Sequence, residues 1–305
     1  MVDWLSYNRS LVRRGEILFS YDFLDTWDSE IARMNENKEG KPFTFPDSFI
    51  LVIGYLRTYL HLPYRQTEGV IKATGRSLPC HPSYGHICKR INRLNIDIKK
   101  EDSIDDDEPI IIAVDSTGIK VTNRGQWMTE KWDMKNNNNN NNKKGYLKIH
   151  VAVNIETKEI LALEVTNEKI HDGKMMRKLI GDVMNTTTHT ANNKIESVLA
   201  DGSYDTNKNF KHLQEHRIIP GIKVRSNSII SFRNNKLRNK EVRLQTKDYL
   251  KWKKKRKYGH RWIAETVFSS IKRTFGEYVS SIKFQNMIKE MMIKVSLYNL
   301  FRRMV

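Results

Sequence analysis

Pro109-Ile-Ile-Ile-Ala-Val-Asp115 decides the fold. An unbroken β-branched apolar run of this kind is the pattern of a strand buried on both faces, as in α/β sheets covered by helices. The run leads straight into Asp115-Ser-Thr-Gly-Ile-Lys-Val121. A carboxylate in such a strand is costly to bury unless it is paired or holds a metal. Asp115 is therefore either a structural aspartate with a distant partner or part of a site.

Downstream, the pattern alternates between strands and helices. Lys148-Ile-His-Val-Ala-Val-Asn154 and Glu159-Ile-Leu-Ala-Leu-Glu-Val165 are two strands of a hairpin turning at Glu156-Thr-Lys158. Lys148 and His150 alternate with apolar residues, so they face either the side of the sheet that Asp115 faces or solvent. His171-Asp172-Gly opens a helix to about Met184, with Asp172 as its expected N-cap. Ile195-Glu-Ser-Val-Leu-Ala200 is a further short strand, and Asp201 follows at its carboxyl end, where open α/β sheets keep their sites. Asp205 is expected to cap the next helix, which leaves Asp201 as the functional acid of the two. Arg217–Val224 supplies another strand. Arg225–Lys257, rich in Lys, Arg and Asn, is expected to be loop with a basic surface. Seven consecutive asparagines, Asn136–Asn142, form a low-complexity surface insertion to which no role is assigned.

The third acid lies on a helix. In Tyr258-Gly-His-Arg-Trp-Ile-Ala-Glu-Thr-Val-Phe-Ser-Ser-Ile-Lys272, Trp262, Phe268 and Ile271 supply an apolar side, and neither Gly nor Pro interrupts the run after Arg261. Arg261 and Glu265 lie about 40° apart on the helical wheel, and Glu265 and Lys272 about 20° apart. Taken alone, a carboxylate flanked by two cations is a solvated salt-bridge row. Taken with Asp115 and Asp201, it completes a set of three carboxylates from separate elements, able to meet at one edge of a mixed sheet. Three such charges repel one another and raise one another's pKa. Divalent cations remove that conflict, and an all-oxygen donor set favours Mg²⁺ or Mn²⁺. Two ions about 4 Å apart are the arrangement used in phosphoryl transfer, with Arg261 and Lys272 as phosphate contacts.

Upstream of the strand, the chain is helical. Asp3–Phe19 is amphipathic with a break expected at Gly15. Asp47 or Ser48 caps a helix from Phe49 to Leu60, Pro63 opens another over Tyr64–Thr74, and Ser83 caps a third to Leu94. The third presents His86, Lys89, Arg90 and Arg93. Three short helices with a basic last member fit a helix-turn-helix-like unit that binds DNA, with a dimerisation or packing domain as the alternative. An acidic run, Glu101–Glu108, separates the parts: a helical domain over 1–100, a linker over 101–108 and a catalytic domain over 109–305, closed by a helix from about Lys283.

Composition agrees with a polyanionic partner. The chain has 305 residues, 39% of them hydrophobic, and a net charge of +18. That excludes a disordered chain and favours nucleic acid, because neutralised phosphates release counterions. Cys80 and Cys88 are the sole cysteines and lack zinc-site spacing. No apolar run is long enough to span a bilayer. With no secretory signal pattern read at its start, the chain is expected in a reducing cytoplasm beside the nucleoid, without a membrane partner.

These motifs resemble those of the DDE transposases of prokaryotic insertion sequences, specifically the insertion-sequence-five family. Tyr258, Arg261, Glu265 and Lys272 match the family signature Tyr-x2-Arg-x3-Glu-x6-Lys. The segments around Asp115 and Asp201 look like the family's acidic motifs, as do Asp3–Gly15 and Leu62–Gly69 for its N-terminal part. The Asn tract departs from a stretch that is usually basic. The resemblance implies an RNase H-like catalytic core in which Asp115, Asp201 and Glu265 are the catalytic and metal-binding residues for two Mg²⁺ or Mn²⁺ ions. It implies nicking at terminal inverted repeats, attack of the freed 3′-hydroxyl on target DNA, and a homo-oligomer assembled on double-stranded DNA. Tyr258, Arg261 and Lys272 are expected to meet DNA, as are Lys89, Arg90 and Arg93 of the helical domain. Two rivals use the same residues differently. One is a catalytically inactive DNA-binding remnant, and the other a general RNase H-like nuclease. RNA binding has little support, since no aromatic stacking motif of the usual kinds is present.

Overall fold

The computed structural model describes residues 3–74, 78–98, 109–121, 146–186 and 195–304. The acidic linker and the Asn tract both lie outside these residues. The chain divides into two compact units, Met1–Asp97 with Lys283–Val305, and Ile98–Ile282.

The first unit is helical. Its helices are α1 (Trp4–Leu18), α2 (Trp27–Asn35), α3 (Asp47–Tyr59), α4 (Tyr64–Thr74), α5 (Tyr84–Ile91) and, from the end of the chain, the helix Phe284–Arg302. Asp3 caps α1 by accepting from the Leu5 amide at 3.0 Å. The helix runs on through Gly15, where the sequence suggests a break. The roughly 1 kcal/mol penalty of one glycine is too small to interrupt a helix with good formers on both sides. Ser83 caps α5 as expected, its hydroxyl accepting from the His86 amide. Neither Asp47 nor Ser48 caps α3. Asp47 is its first residue and pairs with Arg90, while the Ser48 hydroxyl meets Glu30 at 2.5 Å. The core is an aromatic cluster in which Phe49 lies 4.9 Å from Phe23 and 5.1 Å from Trp27, ring centre to ring centre. Beside it, Ile50 and Ile53 of α3 are fully buried.

The final helix belongs to this unit and not to the second, which ends at Ile282 where the sequence reading runs it to 305. The physical reason is its partner. Gly54 of α3 leaves room for the Ile293 side chain, and the Tyr55 hydroxyl bonds Ser296 at 2.7 Å.

The second unit is α/β. Its strands are β1 (Ile110–Val121), β2 (Tyr146–Asn154), β3 (Ile160–Asn167), β4 (Ile195–Ala200), β5 (Ile219–Ile222) and β6 (Tyr278–Val279). They form one mixed sheet in the order β3-β2-β1-β4-β5, with β6 beside β1. β2 is antiparallel to β1 and β3, whereas β4 and β5 run parallel to β1. This order with these directions is that of an RNase H-like sheet, so the α/β class with an RNase H-like mixed sheet flanked by helices holds.

Alternation along β1 assigns its two faces. Ile110, Ile112 and Val114 pack into a core with Leu179 and Ile180 of α6 (Met176–Thr186) and Phe210 of α7 (Asn207–Glu215). The other face meets α10 (Trp262–Phe275), whose Ala264, Val267 and Ile271 are buried. Gly221 in β5 is required by close approach, since a Cβ there would lie 2.4 Å from Leu199 of β4.

The segment expected to be loop, Arg225–Lys257, contains two helices, α8 (Lys236–Lys247) and α9 (Tyr249–Lys255). The buried positions of α8 are Glu241, Val242 and Gln245, with Arg238 nearly so. Three of these four are polar, so no hydrophobic period marks the helix in the sequence.

Candidate active site

A gap in the sheet makes the site. β4 pairs with β1 through Ile110–Ala113, and β6 joins β1 at Lys120 and Val121. Between these pairings β1 carries Asp115 past the carboxyl end of β4, where Asp201 leads into a 3-10 turn, Gly202–Tyr204. Asp115 and Thr117 point from β1 toward α10, which brings Glu265 in its first turn.

The three acids differ in their surroundings. Asp115 is mostly buried, and its Oδ1 accepts from the Ser116 amide at 2.8 Å. Burial, joined by the negative charges of Asp201 and Glu265, raises its pKa against the Ser116 amide and Arg261, which lower it. Asp201 turns Oδ1 to the Ser203 amide at 2.9 Å and the Ser203 hydroxyl at 2.5 Å. Glu265 is 57% exposed and paired with Arg261. Arg261 thus lies between two of the acids, its Nη1 2.8 Å from Asp115 Oδ2 and its Nη2 on Glu265. Lys272, about two turns beyond Glu265 on α10, donates to the Thr117 hydroxyl at 2.8 Å. An open groove of about 640 Å³ runs past Asp115, Thr117, Glu265, Lys272 and Arg273. Asp201 does not line it.

The donors are all carboxylate oxygens, the set that Mg²⁺ and Mn²⁺ prefer, and burial, with a smaller part from the other two acids, raises Asp115. Among the described residues, however, no three His, Cys, Asp or Glu side chains stand close enough together to hold one ion. Arg261 supplies the positive charge between Asp115 and Glu265. The residues fit the ions in the chemistry of their donors, while in geometry Asp115 and Glu265 are engaged with Arg261 and Asp201 lies off the groove.

Two residues expected to meet DNA are committed elsewhere. Tyr258 is 9% exposed, its ring lies 5.0 Å from that of Trp252, and burial pushes its phenol up to about 12. It steadies Arg261 from the interior. Arg90 is 7% exposed, pairs with Asp47 at 2.5 Å and lies over the Phe43 ring at 4.6 Å. It holds α5 to α3. Lys89 and Arg93 are exposed.

Two aspartates have duties other than the caps expected of them. Asp205 is enclosed, and its carboxylate takes both Nε and Nη2 of Arg238, at 2.7 and 3.0 Å, as well as the Ser228 hydroxyl at 2.7 Å. Thr206 caps α7 instead. Asp172 leaves the capping of its turn to His171, whose Nδ1 accepts from the Gly173 amide. Its own Oδ1 accepts from Lys148 Nζ at 2.7 Å and from the Ser116 hydroxyl at 2.8 Å.

The strand register corrects the placement of Lys148 and His150. They sit opposite Gly118 and Ser116, while Asp115 sits opposite Val151. They therefore lie on the face away from Asp115, turned toward Asp172. His150 is wholly buried, which holds its pKa down at about 4.

Asp172 is a residue that sequence reasoning missed. Its turn ties the first two acids together. Asp172 bonds the neighbour of Asp115, and a Cβ on Gly173 would meet the Ser203 carbonyl oxygen, next to Asp201, at 2.8 Å. Asn209 straps the two turns by donating to the carbonyls of Gly173 and Tyr204, both at 3.0 Å. The available signal was Lys148 itself, since a lysine alternating into a covered sheet face requires an acid partner.

The family model described as Transposase DDE domain matches residues 106–300, and a second model of the same description matches residues 12–124. Among solved structures, the Drosophila P element transposase strand transfer complex is similar at a TM-score of 0.35 and 11% identity, over 91% of this chain and 69% of that one. The first match covers most of the chain and spans Asp115, Asp201 and Glu265 together: the chain belongs to the transposase DDE domain family.

Proposed function

We propose that this chain is the transposase of a prokaryotic insertion sequence of the insertion-sequence-five kind. It binds the terminal inverted repeats of its element, hydrolyses a phosphodiester at each end, and joins the freed 3′-hydroxyls to target DNA. The observation that supports this reading is Arg261 bridging Asp115 of β1 and Glu265 of α10, with Asp201 at the end of β4 adding to the negative charge that acts on Asp115.

Asp115, Asp201 and Glu265 are the residues to hold two Mg²⁺ or Mn²⁺ ions. When bound, such ions activate the attacking oxygen and stabilise the leaving one. The chain's own part is positioning. Asp115 offers Oδ2 once Arg261 withdraws, and Asp201 offers Oδ2 because Ser203 occupies Oδ1. Glu265 reaches the groove from the exposed side of α10. Arg261 and Lys272, on the same helix, are then placed to meet the phosphate being cut. Lys89 and Arg93 remain as candidate contacts of the helical unit. Hydrolysis breaks one P–O bond and leaves a 3′-hydroxyl. Strand transfer then exchanges one phosphodiester for another, so neither step needs an outside energy source.

The assembly on DNA is a homo-oligomer, and the setting is the cytoplasm beside the nucleoid. Among the described residues no helix is long and apolar enough to cross a membrane.

The test is a nicking assay on labelled duplexes that carry the DNA flanking the gene, with Mg²⁺ and with EDTA. Cleavage at an inverted-repeat boundary, abolished by EDTA, is the expected result. Equal cleavage of random duplex makes the protein a general nuclease. Tight binding of the ends with no cleavage in Mg²⁺ or Mn²⁺ makes it an inactive DNA-binding remnant.

A further inference from the structure

Between Arg225 and Lys257 the chain carries thirteen Lys and Arg residues against two acids, Glu241 and Asp248. Among the described residues neither acid pairs with an exposed lysine or arginine. The Glu241 carboxylate is fully enclosed, pairing with Arg256 and accepting from the Trp252 indole at 2.7 Å. Asp248 caps α9. The inward side of α8 is pinned by Arg238 on Asp205 and by Gln245, which bonds the Val224 amide and the Ile222 carbonyl.

That anchoring fixes what α8 shows outward. Lys236, Lys240, Arg243 and Lys247 are all exposed. Their spacing places them within about 60° of one another on the wheel and along about 16 Å of helix axis. Among the described residues none of the four has a carboxylate partner. Lys236, Lys240 and Arg243 line a shallow groove of about 420 Å³. Four more lysines stand exposed on α9, between Tyr249 and Lys255. A solvated helix usually mixes charge signs along such a stripe. This one has a single sign, and it is held rigidly, so a flexible solubilising tail is not what it resembles.

We infer that the Lys236–Lys240–Arg243–Lys247 stripe is a binding track for the phosphate backbone of duplex DNA. One strand presents a phosphate per about 3.4 Å of duplex axis, so the stripe is long enough for four contacts. The track connects to the site through packed groups. Glu241 of α8 holds Trp252 and Arg256, Trp252 stacks near Tyr258, and Tyr258 steadies Arg261. A duplex seated on α8 is thereby held in a set position relative to the helix that carries Glu265. Phosphate contacts of this kind position DNA and do not read its sequence.

The inference rests on the chain acting on duplex DNA, and its test separates the two claims. Binding of a fluorescein-labelled random 30-base-pair duplex to the full chain is measured as a function of salt. Each phosphate contact contributes about 0.9 to the slope of log K against log salt. K236Q/K240Q/R243Q/K247Q is expected to reduce that slope by about 3 to 4, and the single substitutions by about 0.9 each. A variant with the same loss of charge outside α8 and α9, K169Q/K178Q/K208Q/K211Q, is expected to change it by less than about 1. Equal slopes for the two quadruple variants, or single substitutions without effect, overturn the track while leaving the transposase reading intact. A wild-type chain that binds no duplex at low salt overturns both.

Discussion

Glu265→Ala is expected to abolish cleavage of element ends while leaving duplex binding and folding unchanged. Glu265 is 57% exposed and its one described partner is Arg261. Arg261 retains Asp115 when the glutamate is gone, so no buried charge is left unpaired. On the proposed reading, what is lost is one of three oxygen donors for the ions. Metal-centred stabilisation of the reacting oxygens is worth several kcal/mol, and about 4 kcal/mol is a thousandfold in rate. Single-turnover nicking in Mg²⁺, read beside an equilibrium binding curve, separates the effects. Cleavage within tenfold of wild type by the variant removes Glu265 from the site.

Asp205→Ala is expected to destabilise the second unit by about 3–5 kcal/mol. Removing the carboxylate leaves the Arg238 guanidinium, 12% exposed, without its bidentate partner. It also strips an acceptor from the Ser228 hydroxyl and the Arg225 amide. Replacing both partners, in Asp205→Leu with Arg238→Met, is expected to recover much of the loss, because neither charge then stays buried.

The pH dependence of this pair has a definite sign. Burial pushes the Asp205 carboxyl up, but hydrogen bonds from Arg238, Ser228 and the Arg225 amide outweigh it and hold the group below its ordinary value. A depressed acid stabilises the fold above its unfolded pKa, about 3.9. That contribution is lost as the pH falls through the lower folded value. Urea unfolding at pH 7 and pH 3 checks both statements. A loss at pH 7 below about 1 kcal/mol, the scale of a surface pair, removes Asp205–Arg238 as a structural anchor.

Most of the second unit was legible in the chain. The β-branched run before Asp115 and the short strand before Asp201 are patterns that only a covered sheet explains. The signature helix places Glu265 by spacing alone. Pairings across long sequence separations were not legible. Nothing near Asp205 announces Arg238, thirty-three residues on, so a cap was the simpler expectation. Arg90 looked like a surface cation because Asp47, its partner, lies forty-three residues back. Tyr258 shows the same limit, since its ring is drawn inward by Trp252. The helix α8 escaped notice for a different reason. Its inward side satisfies Arg238, Glu241 and Gln245 by hydrogen bonds rather than by burying apolar surface, so the periodicity that betrays a helix is absent.

Arg261 joins these observations. Its guanidinium answers the repulsion between Asp115 and Glu265, which keeps the acids together without ions. On the proposed reading, ions would compete with Arg261 for Asp115 and Glu265.

The central claim is that Asp115, Asp201 and Glu265 act as one site for divalent ions. The most direct measurement is Mn²⁺ binding to the full chain, followed by electron paramagnetic resonance in the presence of duplex DNA, for wild type, D115N, D201N and E265Q. The wild-type chain is expected to bind Mn²⁺, and each substitution to weaken binding at least about tenfold, as loss of a ligand or of its support does. Wild-type affinity in any one of the three variants, D201N above all, contradicts the claim.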